Sequence, residues 1–461
     1  MLNKIMLISY ADSLGKNLKE LKTCIDTYLK DAVGSVHILP FFPSSADRGF
    51  APISYKTVDP AFGNWEDIAA LAKSYPLMFD FMINHISRQS ELVQDFCIDW
   101  DAFWGKSGAS ESDVVAIYKR KDRAPFVEID FGDTQGKRKV WCTFGEEQID
   151  LDLCKPAVQS FFTHTINELA AKGASIIRLD AFAYAVKKAG SSCFFVEPEI
   201  WELLGSVAAM AKKAGVEILP EIHEHYSIQM KLAEKGYWVY DFALPALVLH
   251  ALYSGRVDKL ANWLKICPRK QWTTLDTHDG IGMVDVVDLL SPEEIDFTRE
   301  SLYKKGANVQ KKYSSAEYNN LDVYQINCTY YSALGNNDDA YLLARAVQFF
   351  APGIPQVYYT GLLAGINDIE LLEKTKNGRD INRHYYTLAE VASETKRPVV
   401  KKLLELCRLR NTHPAFAVEA DIEIGTDGEH SLFISRTYGA AKASLQADFN
   451  SYIIKIDYNS C

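Results

Sequence analysis

Along this chain, short apolar runs alternate with stretches in which apolar residues recur every three or four positions. Lys4–Ser9 reads as a buried strand, and Leu14–Lys30 as an amphipathic helix with Leu14, Leu18, Leu21, Ile25 and Leu29 on one face. Val36–Pro40 predicts a second strand, and a helix near Trp65–Lys73 precedes a third, Leu77–Ile83. After Asn84 the rhythm breaks. Residues from about 85 to 152 carry aromatics, glycine and mixed charge without a clean strand–helix unit, as an insertion after the third strand would. The alternation resumes with helix Ala157–Lys172, which Gly173 is placed to end, then strand Ser175–Asp180, helix Pro198–Ala214 and strand Glu217–Glu221. Strands Trp238–Phe242, Thr273–His278 and Gln356–Tyr359 follow, with a second irregular segment at roughly 280–335 and helix Asp338–Phe350 before the last of them. A helix near Val399–Arg410 leads into a tail of short alternating strands from about residue 419.

Eight candidate parallel strands, near residues 5, 37, 79, 177, 219, 240, 275 and 357, predict an α/β fold. It is a (β/α)8 TIM barrel with two insertions and a short C-terminal antiparallel β domain. The barrel takes residues 1–84, 153–279 and 336–418; the insertions are 85–152 and 280–335, and the β domain is 419–461. A doubly wound sheet wants a glycine-rich first turn, but Ser9–Gly15 contains no GxGxxG, and no Walker A sequence occurs.

Composition narrows the class. With 461 residues, 48% apolar and 24% charged, disorder is excluded as the main state. Nine cysteines, an odd number with no CxxC pair, exclude a disulfide scaffold and predict buried small hydrophobes in a reducing compartment. The balance of 50 basic and 60 acidic residues argues against nucleic acid and anionic membrane as general partners. It does not argue against a small anionic substrate held by one basic loop. The N-terminal residues lack a signal-peptide pattern and no run of 18 apolar residues occurs, so a cytoplasmic enzyme is expected.

In a (β/α)8 barrel the chemistry lies at the C-terminal ends of the strands. The third strand is followed by Asn84 and His85; the fourth ends in Arg178-Leu-Asp180, the fifth in Glu221-Ile-His223 and the seventh in Thr277-His278-Asp279. Any one of these residues reads as a helix cap or a structural histidine about as well as a functional group. Carboxylates, histidines and an arginine at four strand ends together point to one reactive rim. Paired carboxylates are what glycosidic bond cleavage needs, one ionised to attack and one protonated for the leaving oxygen. Asp180 suits the first role, because Arg178 two residues earlier points to the same side of the strand. Glu221, after an apolar strand, suits the second.

These segments resemble the conserved regions of the α-amylase family of glycoside hydrolases. Gln148-Ile-Asp-Leu-Asp152 resembles that family's short motif in the inserted domain, and Gly353-Ile-Pro-Gln-Val-Tyr358 its strand-eight motif. The resemblance implies Asp180 as nucleophile, Glu221 as general acid/base and Asp279 as transition-state stabiliser. It implies that His85 and His278 hold glucose hydroxyls and that Arg178 orients Asp180. Within the family, Ala46-Asp-Arg-Gly-Phe50, Pro220-Glu-Ile-His223, Asn320-Leu-Asp-Val-Tyr-Gln325 and Asn377-Gly-Arg-Asp-Ile-Asn-Arg-His-Tyr-Tyr386 are most similar to members that cleave sucrose with inorganic phosphate. Those members give glucose 1-phosphate and fructose with retention.

That branch implies further residues. Asp47 and Arg379, with Asp380 beside it, would seal the glucose end of a pocket too short for a starch chain. Phe50, Phe144 and Tyr184 would wall it, with Gln148 and His223 also on the substrate. Leu321, Asp322, Tyr324 and Gln325 would form a loop over fructose that rearranges for phosphate. Tyr118-Lys119-Arg120-Lys121-Asp122-Arg123 carries four cations in five residues; Tyr118 with Arg120 or Lys121 would hold phosphate. Core filling for the aromatics and a solvated loop for the cations are the bland readings. Asp322 disfavours a sucrose 6′-phosphate donor by repulsion, leaving it, glucosylglycerol and glucosylglycerate as alternative donors. A hydrolase or transglucosidase on this scaffold would have no use for the basic loop. A non-catalytic partner barrel would show broken catalytic carboxylates. No cofactor and no metal are expected. Asn84 belongs to a motif that helps bind Ca²⁺ in many amylases, without an evident ligand cluster, and His85, His223 and His278 are better explained by sugar than by zinc. A monomer or homodimer fits equally. The family's final β domain usually has about five strands, and the 43 residues from 419 predict a shortened one with an exposed edge.

Overall fold

The computed structural model describes residues 3–119, 123–132, 136–307 and 325–459. Its parallel strands are β1 (Met6–Ser9), β2 (Ser35–Ile38), β3 (Leu77–Met82), β4 (Ala174–Asp180), β5 (Glu217–Pro220), β6 (Val239–Asp241), β7 (Gln271–Thr273) and β8 (Ile354–Tyr358). They are the eight strands of a (β/α)8 barrel. Four further strands, β9 (Asp421–Asp427), β10 (Ser431–Tyr438), β11 (Ala441–Asp448) and β12 (Ile453–Tyr458), form an antiparallel sheet. The chain divides into two compact units, Met1–His37 with His223–Cys461, and Ile38–Ile222.

In the first unit β6 pairs with β7, β7 with β8 and β8 with β1, all parallel. Every residue of β1 and β8 is buried. Strands covered on both faces read as continuous apolar runs, which is why no alternation marks them in the sequence. Two expectations are corrected here. The seventh strand ends at Thr273, not His278. Thr273 is its last residue in register with β8 (opposite Pro355), and from there side chains turn the backbone out of the sheet. Thr274 Oγ1 donates to the Asp276 carbonyl at 2.7 Å, and the Asp276 carboxylate accepts from Arg345 Nη2 at 2.6 Å. The first helix is Leu18–Tyr28, because the Asn17 side chain accepts from Glu20 N and caps it; Leu14 instead bridges to Tyr386.

The antiparallel sheet has four strands, in line with the shortened tail. Strand β10 alternates, and its inward residue Arg436 is fully buried. Arg436 donates to the carbonyls of Phe350 at 3.1 Å, Ala351 at 3.0 Å, Ala415 at 3.2 Å and Ala417 at 3.0 Å. It thereby satisfies carbonyls at the end of helix Asp338–Phe350 that have no partner within the helix. The last strand, β12, lies at an edge of the sheet and exposes Ile453 and Tyr458.

In the second unit β3 pairs with β4 and β4 with β5, with Asp80 opposite Arg178 and Arg178 opposite Leu219. Helix Pro156–Ala171 ends before Gly173, whose φ of +108° and a would-be Cβ 2.9 Å from Ala72 leave room only for glycine. Between β3 and this helix lie two small antiparallel pairs, His85–Ser87 with Gln148–Asp150 and Phe126–Asp130 with Lys137–Trp141. Ile98, Trp100, Ile117 and Trp141 form an aromatic-rich core for this segment, so the loss of rhythm in the sequence marks a separate small core. Eight cysteines are described, all free, and all but Cys154 are buried. No helix among the described residues is long and apolar enough to cross a membrane.

Candidate active site

The parallel register of β3 and β4 decides the geometry in the second unit. Asp80 lies opposite Arg178, and Asp180 follows two residues on, so the three side chains share one face. Arg178 Nη1 donates to Asp80 Oδ1 at 2.5 Å and to Asp180 Oδ1 at 2.9 Å; Nη2 lies 3.7 Å from Glu221 Oε1. The Arg178 side chain is 4% exposed. One guanidinium therefore faces three carboxylates. Burial pushes the Asp180 carboxyl well above the usual range. Arg178 pulls it down, and the Glu221 and Asp80 carboxylates push it up. A buried cluster with two more negative groups than positive ones favours holding a proton.

Backbone geometry fixes the next step. Ala181, directly after Asp180, has φ +53°, and its N–H donates to Glu221 Oε2 at 3.0 Å. A non-glycine residue in the left-handed region costs about 1–3 kcal/mol and persists where its surroundings hold it. Here it aims a backbone donor at a carboxylate that already faces Arg178. An ionised carboxylate and a second, separately oriented one are the parts of an acid–base or nucleophilic displacement.

Aromatic and polar walls adjoin in the same unit. Phe50 O accepts from His85 Nε2 at 2.8 Å and from Gln148 Nε2 at 3.1 Å. Burial lowers the His85 pKa, so the ring is neutral and Nε2 carries the proton that Phe50 accepts. Phe144 lies 5.5 Å from the His85 ring and 4.9 Å from Tyr184. Tyr118 stands 6.0 Å from Tyr184 and 4.5 Å from Phe194. Asp47 sits in a strained turn, with φ +50° followed by +49° at Arg48 and +110° at Gly49, where a Cβ would meet Pro40 O at 2.5 Å. Arg123 of the basic segment donates to the Cys142 carbonyl at 3.0 Å, a structural use. Arg120 and Lys121 lie outside the described residues.

Asn84 allows the suggestion of a divalent ion to be tested. Its Oδ1 lies 3.0 Å from Lys187 Nζ, which also stands 2.8 Å from Asp150 Oδ2 and donates to the Tyr184 carbonyl. A cation belonging to the chain already sits on these oxygens, and Ca²⁺ does not fit among them.

In the first unit the loop after β7 carries Thr277-His278-Asp279. Residues of the Asn377–Tyr386 segment hold it. Arg383 donates to the His278 carbonyl through Nε at 3.1 Å and Nη2 at 2.9 Å, and Asn382 Nδ2 to the Asp279 carbonyl at 3.0 Å. Arg379 Nη1 lies 3.3 Å from Asp279 Oδ1. Asp380 accepts from Asn377 Nδ2 at 3.4 Å. His223 stacks on Phe242 with ring centroids 3.7 Å apart, and its Nδ1 lies 3.5 Å from Asp285 Oδ2. Gln325 pairs with Gly282 in a short antiparallel ladder, while Leu321, Asp322 and Tyr324 lie outside the described residues.

Sequence reasoning missed Asp80, Lys187, Phe194, Asp285, Asn382 and Arg383. Asp80 and the pair Asn382–Arg383 stood inside segments already singled out; a buried charged residue in an apolar strand was the available signal for Asp80. Lys187, Phe194 and Asp285 carry no pattern of their own.

Residues 4–234 match the model of the alpha amylase catalytic domain. The chain belongs to the α-amylase family. It is 59% identical to the sucrose phosphorylase of Streptococcus mutans, over 97% of this chain and 96% of that protein. It is 43% identical to the glucosylglycerol phosphorylase of Marinobacter adhaerens, over 99% of this chain and 96% of that one. The crystal structure of a sucrose 6F-phosphate phosphorylase from Thermoanaerobacter thermosaccharolyticum superposes with a TM-score of 0.94 at 42% identity, covering 100% of this chain and 97% of that one.

Proposed function

We propose that the chain catalyses the reversible phosphorolysis of sucrose to α-D-glucose 1-phosphate and D-fructose, with retention, by double displacement. The observation that carries the chemistry is Arg178 gripping Asp80 and Asp180 while facing Glu221 at 3.7 Å. The choice of sucrose is supported by the 59% identity to the streptococcal sucrose phosphorylase over nearly the whole chain.

Asp180, held as an anion by Arg178, attacks C1 of the glucosyl unit. Glu221, oriented by Ala181 N–H, gives its proton to the departing fructosyl oxygen. Phosphate then enters where fructose left, attacks the glucosyl–Asp180 ester and regenerates the carboxylate. Asp279, held by Arg379, stabilises the positive charge that develops at C1 in both steps. Electrons and protons balance without a redox cofactor.

The remaining residues serve binding. His85, His223 and His278 hold glucose hydroxyls. Asp47, Arg379 and Asp380 close the glucose end, with Gln148 behind Phe50. Phe50, Phe144 and Tyr184 present rings to the sugar's C–H faces. Leu321, Asp322, Tyr324 and Gln325 meet fructose, and Tyr118 with Arg120 or Lys121 meets phosphate. The segments 85–152 and 280–335 act as the two insertions that supply these loops. The enzyme works in the cytoplasm as a monomer or homodimer.

Product analysis with sucrose, with and without phosphate, tests the reading. Glucose 1-phosphate and fructose, with little free glucose, is the expected outcome. Glucose and fructose at a rate indifferent to phosphate would make the chain a hydrolase. Turnover of sucrose 6′-phosphate or glucosylglycerol in preference to sucrose would shift the donor to that of the other relatives.

A further inference from the structure

The antiparallel sheet stops at β12, and among the described residues no strand pairs with the outer side of β12. Such an edge carries a row of N–H and C=O groups that another strand can take up. Which residues present them follows from the inner side. Asn459 N donates to the Lys442 carbonyl at 3.2 Å, continuing the register that sets Tyr458 opposite Ala443. In an antiparallel ladder successive residues bond neighbours on alternate sides. Ile453, Lys455 and Asp457 therefore share with Asn459 the bonds to β11, and Ile454, Ile456 and Tyr458 turn their backbone groups outward. Ile454 and Ile456 are half-buried and Tyr458 is exposed.

This edge complements itself. A copy related by a twofold axis must set outward-facing residues against outward-facing ones. Centred on Ile456, that pairing places Ile456 opposite its own copy and Ile454 opposite the copy's Tyr458. Each of Ile454, Ile456 and Tyr458 then exchanges N–H and C=O with its opposite. Tyrosine opposite isoleucine is a favourable aromatic–β-branched pair. Lys455 falls opposite the copy's Asp457, and Asp457 opposite the copy's Lys455. They stand at the positions where facing Cα atoms are about 4.5 Å apart and side chains meet most closely. Centring on Lys455 or on Asp457 instead sets like charge against like, and centring on Ile454 or Tyr458 pairs less of the strand. Within the chain Lys455 Nζ lies 3.2 Å from Asp457 Oδ2, so the two copies bring together a ring of alternating charges. Charges on an edge repel strands that do not match them. Here a second copy supplies the match.

We propose that the chain forms a homodimer in which β12 pairs antiparallel with β12 of a second copy, centred on Ile456, and joins the two sheets into one. The proposal does not draw on the activity.

Sedimentation velocity of the full chain over a wide concentration range tests it. The wild type is expected to associate to twice the mass of the chain. Lys455→Glu sets carboxylate against carboxylate at both facing positions, and Asp457→Lys sets ammonium against ammonium. Each should raise the dimer dissociation constant by at least about tenfold. The double variant Lys455→Glu/Asp457→Lys restores opposite charges and should associate like the wild type. The two single variants, mixed, should form a mixed dimer that neither forms alone, because the acidic edge of one faces the basic edge of the other. The Lys455 and Asp457 side chains are 67% and 61% exposed, so these variants are expected to keep the fold, which circular dichroism checks. A wild type that stays monomeric over the whole range overturns the proposal, whatever the variants do. A dimer whose dissociation constant ignores both single substitutions overturns it too, and places the contact on another surface.

Discussion

Replacing Arg178 by methionine removes a cation that faces Asp80, Asp180 and Glu221. Its Nη1 makes bonds of 2.5 Å and 2.9 Å to the two aspartates. Burial and the two neighbouring carboxylates already push Asp180 upward, and Arg178 is the opposing influence. An opposite charge in contact with a carboxylate lowers its pKa by about 1–3 units. Losing it therefore raises Asp180 further, against the anion. The nucleophile must be ionised, so the acid limb of kcat/KM against pH moves upward. The sign is definite. Arg178→Met loses more activity at pH 6 than at pH 8, and the deficit narrows as pH rises through the new pKa. Initial rates of glucose 1-phosphate release across that range measure it, with circular dichroism confirming the fold at each pH. Arg178→Lys keeps the charge but loses the fork, so its limb shifts less than that of the methionine variant. A deficit in Arg178→Met that is the same at every pH would refute the reasoning and leave Arg178 with orientation alone.

Two other outcomes follow from the same physics applied elsewhere. Asp180→Asn abolishes turnover yet raises Tm. The native carboxyl holds its proton to higher pH than the unfolded one, near 3.9, so the wild type loses stability as pH rises above that value. The advantage of the asparagine variant should thus grow between pH 4 and 7 in thermal melts, and an equal or shrinking gap would count against a buried, raised Asp180. Arg436→Ala strands three buried carbonyls, of Phe350, Ala351 and Ala415, while that of Ala417 keeps the Ala420 N–H. At about 1–3 kcal/mol for each unsatisfied group, less what collapse and water recover, urea unfolding should show a loss of at least about 3 kcal/mol, and a loss under about 1 kcal/mol would show that the carbonyls find other partners.

The barrel was legible because its strands are apolar runs buried on both faces, and its helices carry a clear apolar stripe. The seventh strand was misplaced because Leu275 continues the apolar pattern. What ends the strand is Thr274 and Asp276 turning the chain toward Arg345, a pairing between residues far apart in sequence. The grouping of Asp180 with Glu221 was legible for a similar reason in reverse. Asp180 and Glu221 are polar residues where an apolar strand stops, and Arg178 shares a face with Asp180 by the two-residue period. Asp80 needed the β3–β4 register to be seen as the second partner of Arg178. The donor that orients Glu221 is a backbone N–H on an alanine, which no side-chain pattern announces. Lys187 reads in sequence as one of two adjacent lysines; only the fold buries one and exposes its neighbour, Lys188.

The covalent intermediate is the step that separates this account from its alternatives, and it can be isolated. In Glu221→Gln the acid is missing, so sucrose reacts slowly, but α-glucosyl fluoride has a leaving group that needs no proton. Mass spectrometry of that variant after mixing with the fluoride should find one glucosyl group on the peptide containing Asp180. Inorganic phosphate should discharge it as α-glucose 1-phosphate faster than water releases glucose. A label on another residue, or discharge at a rate that phosphate does not change, would contradict the double displacement and the phosphorolysis that rests on it.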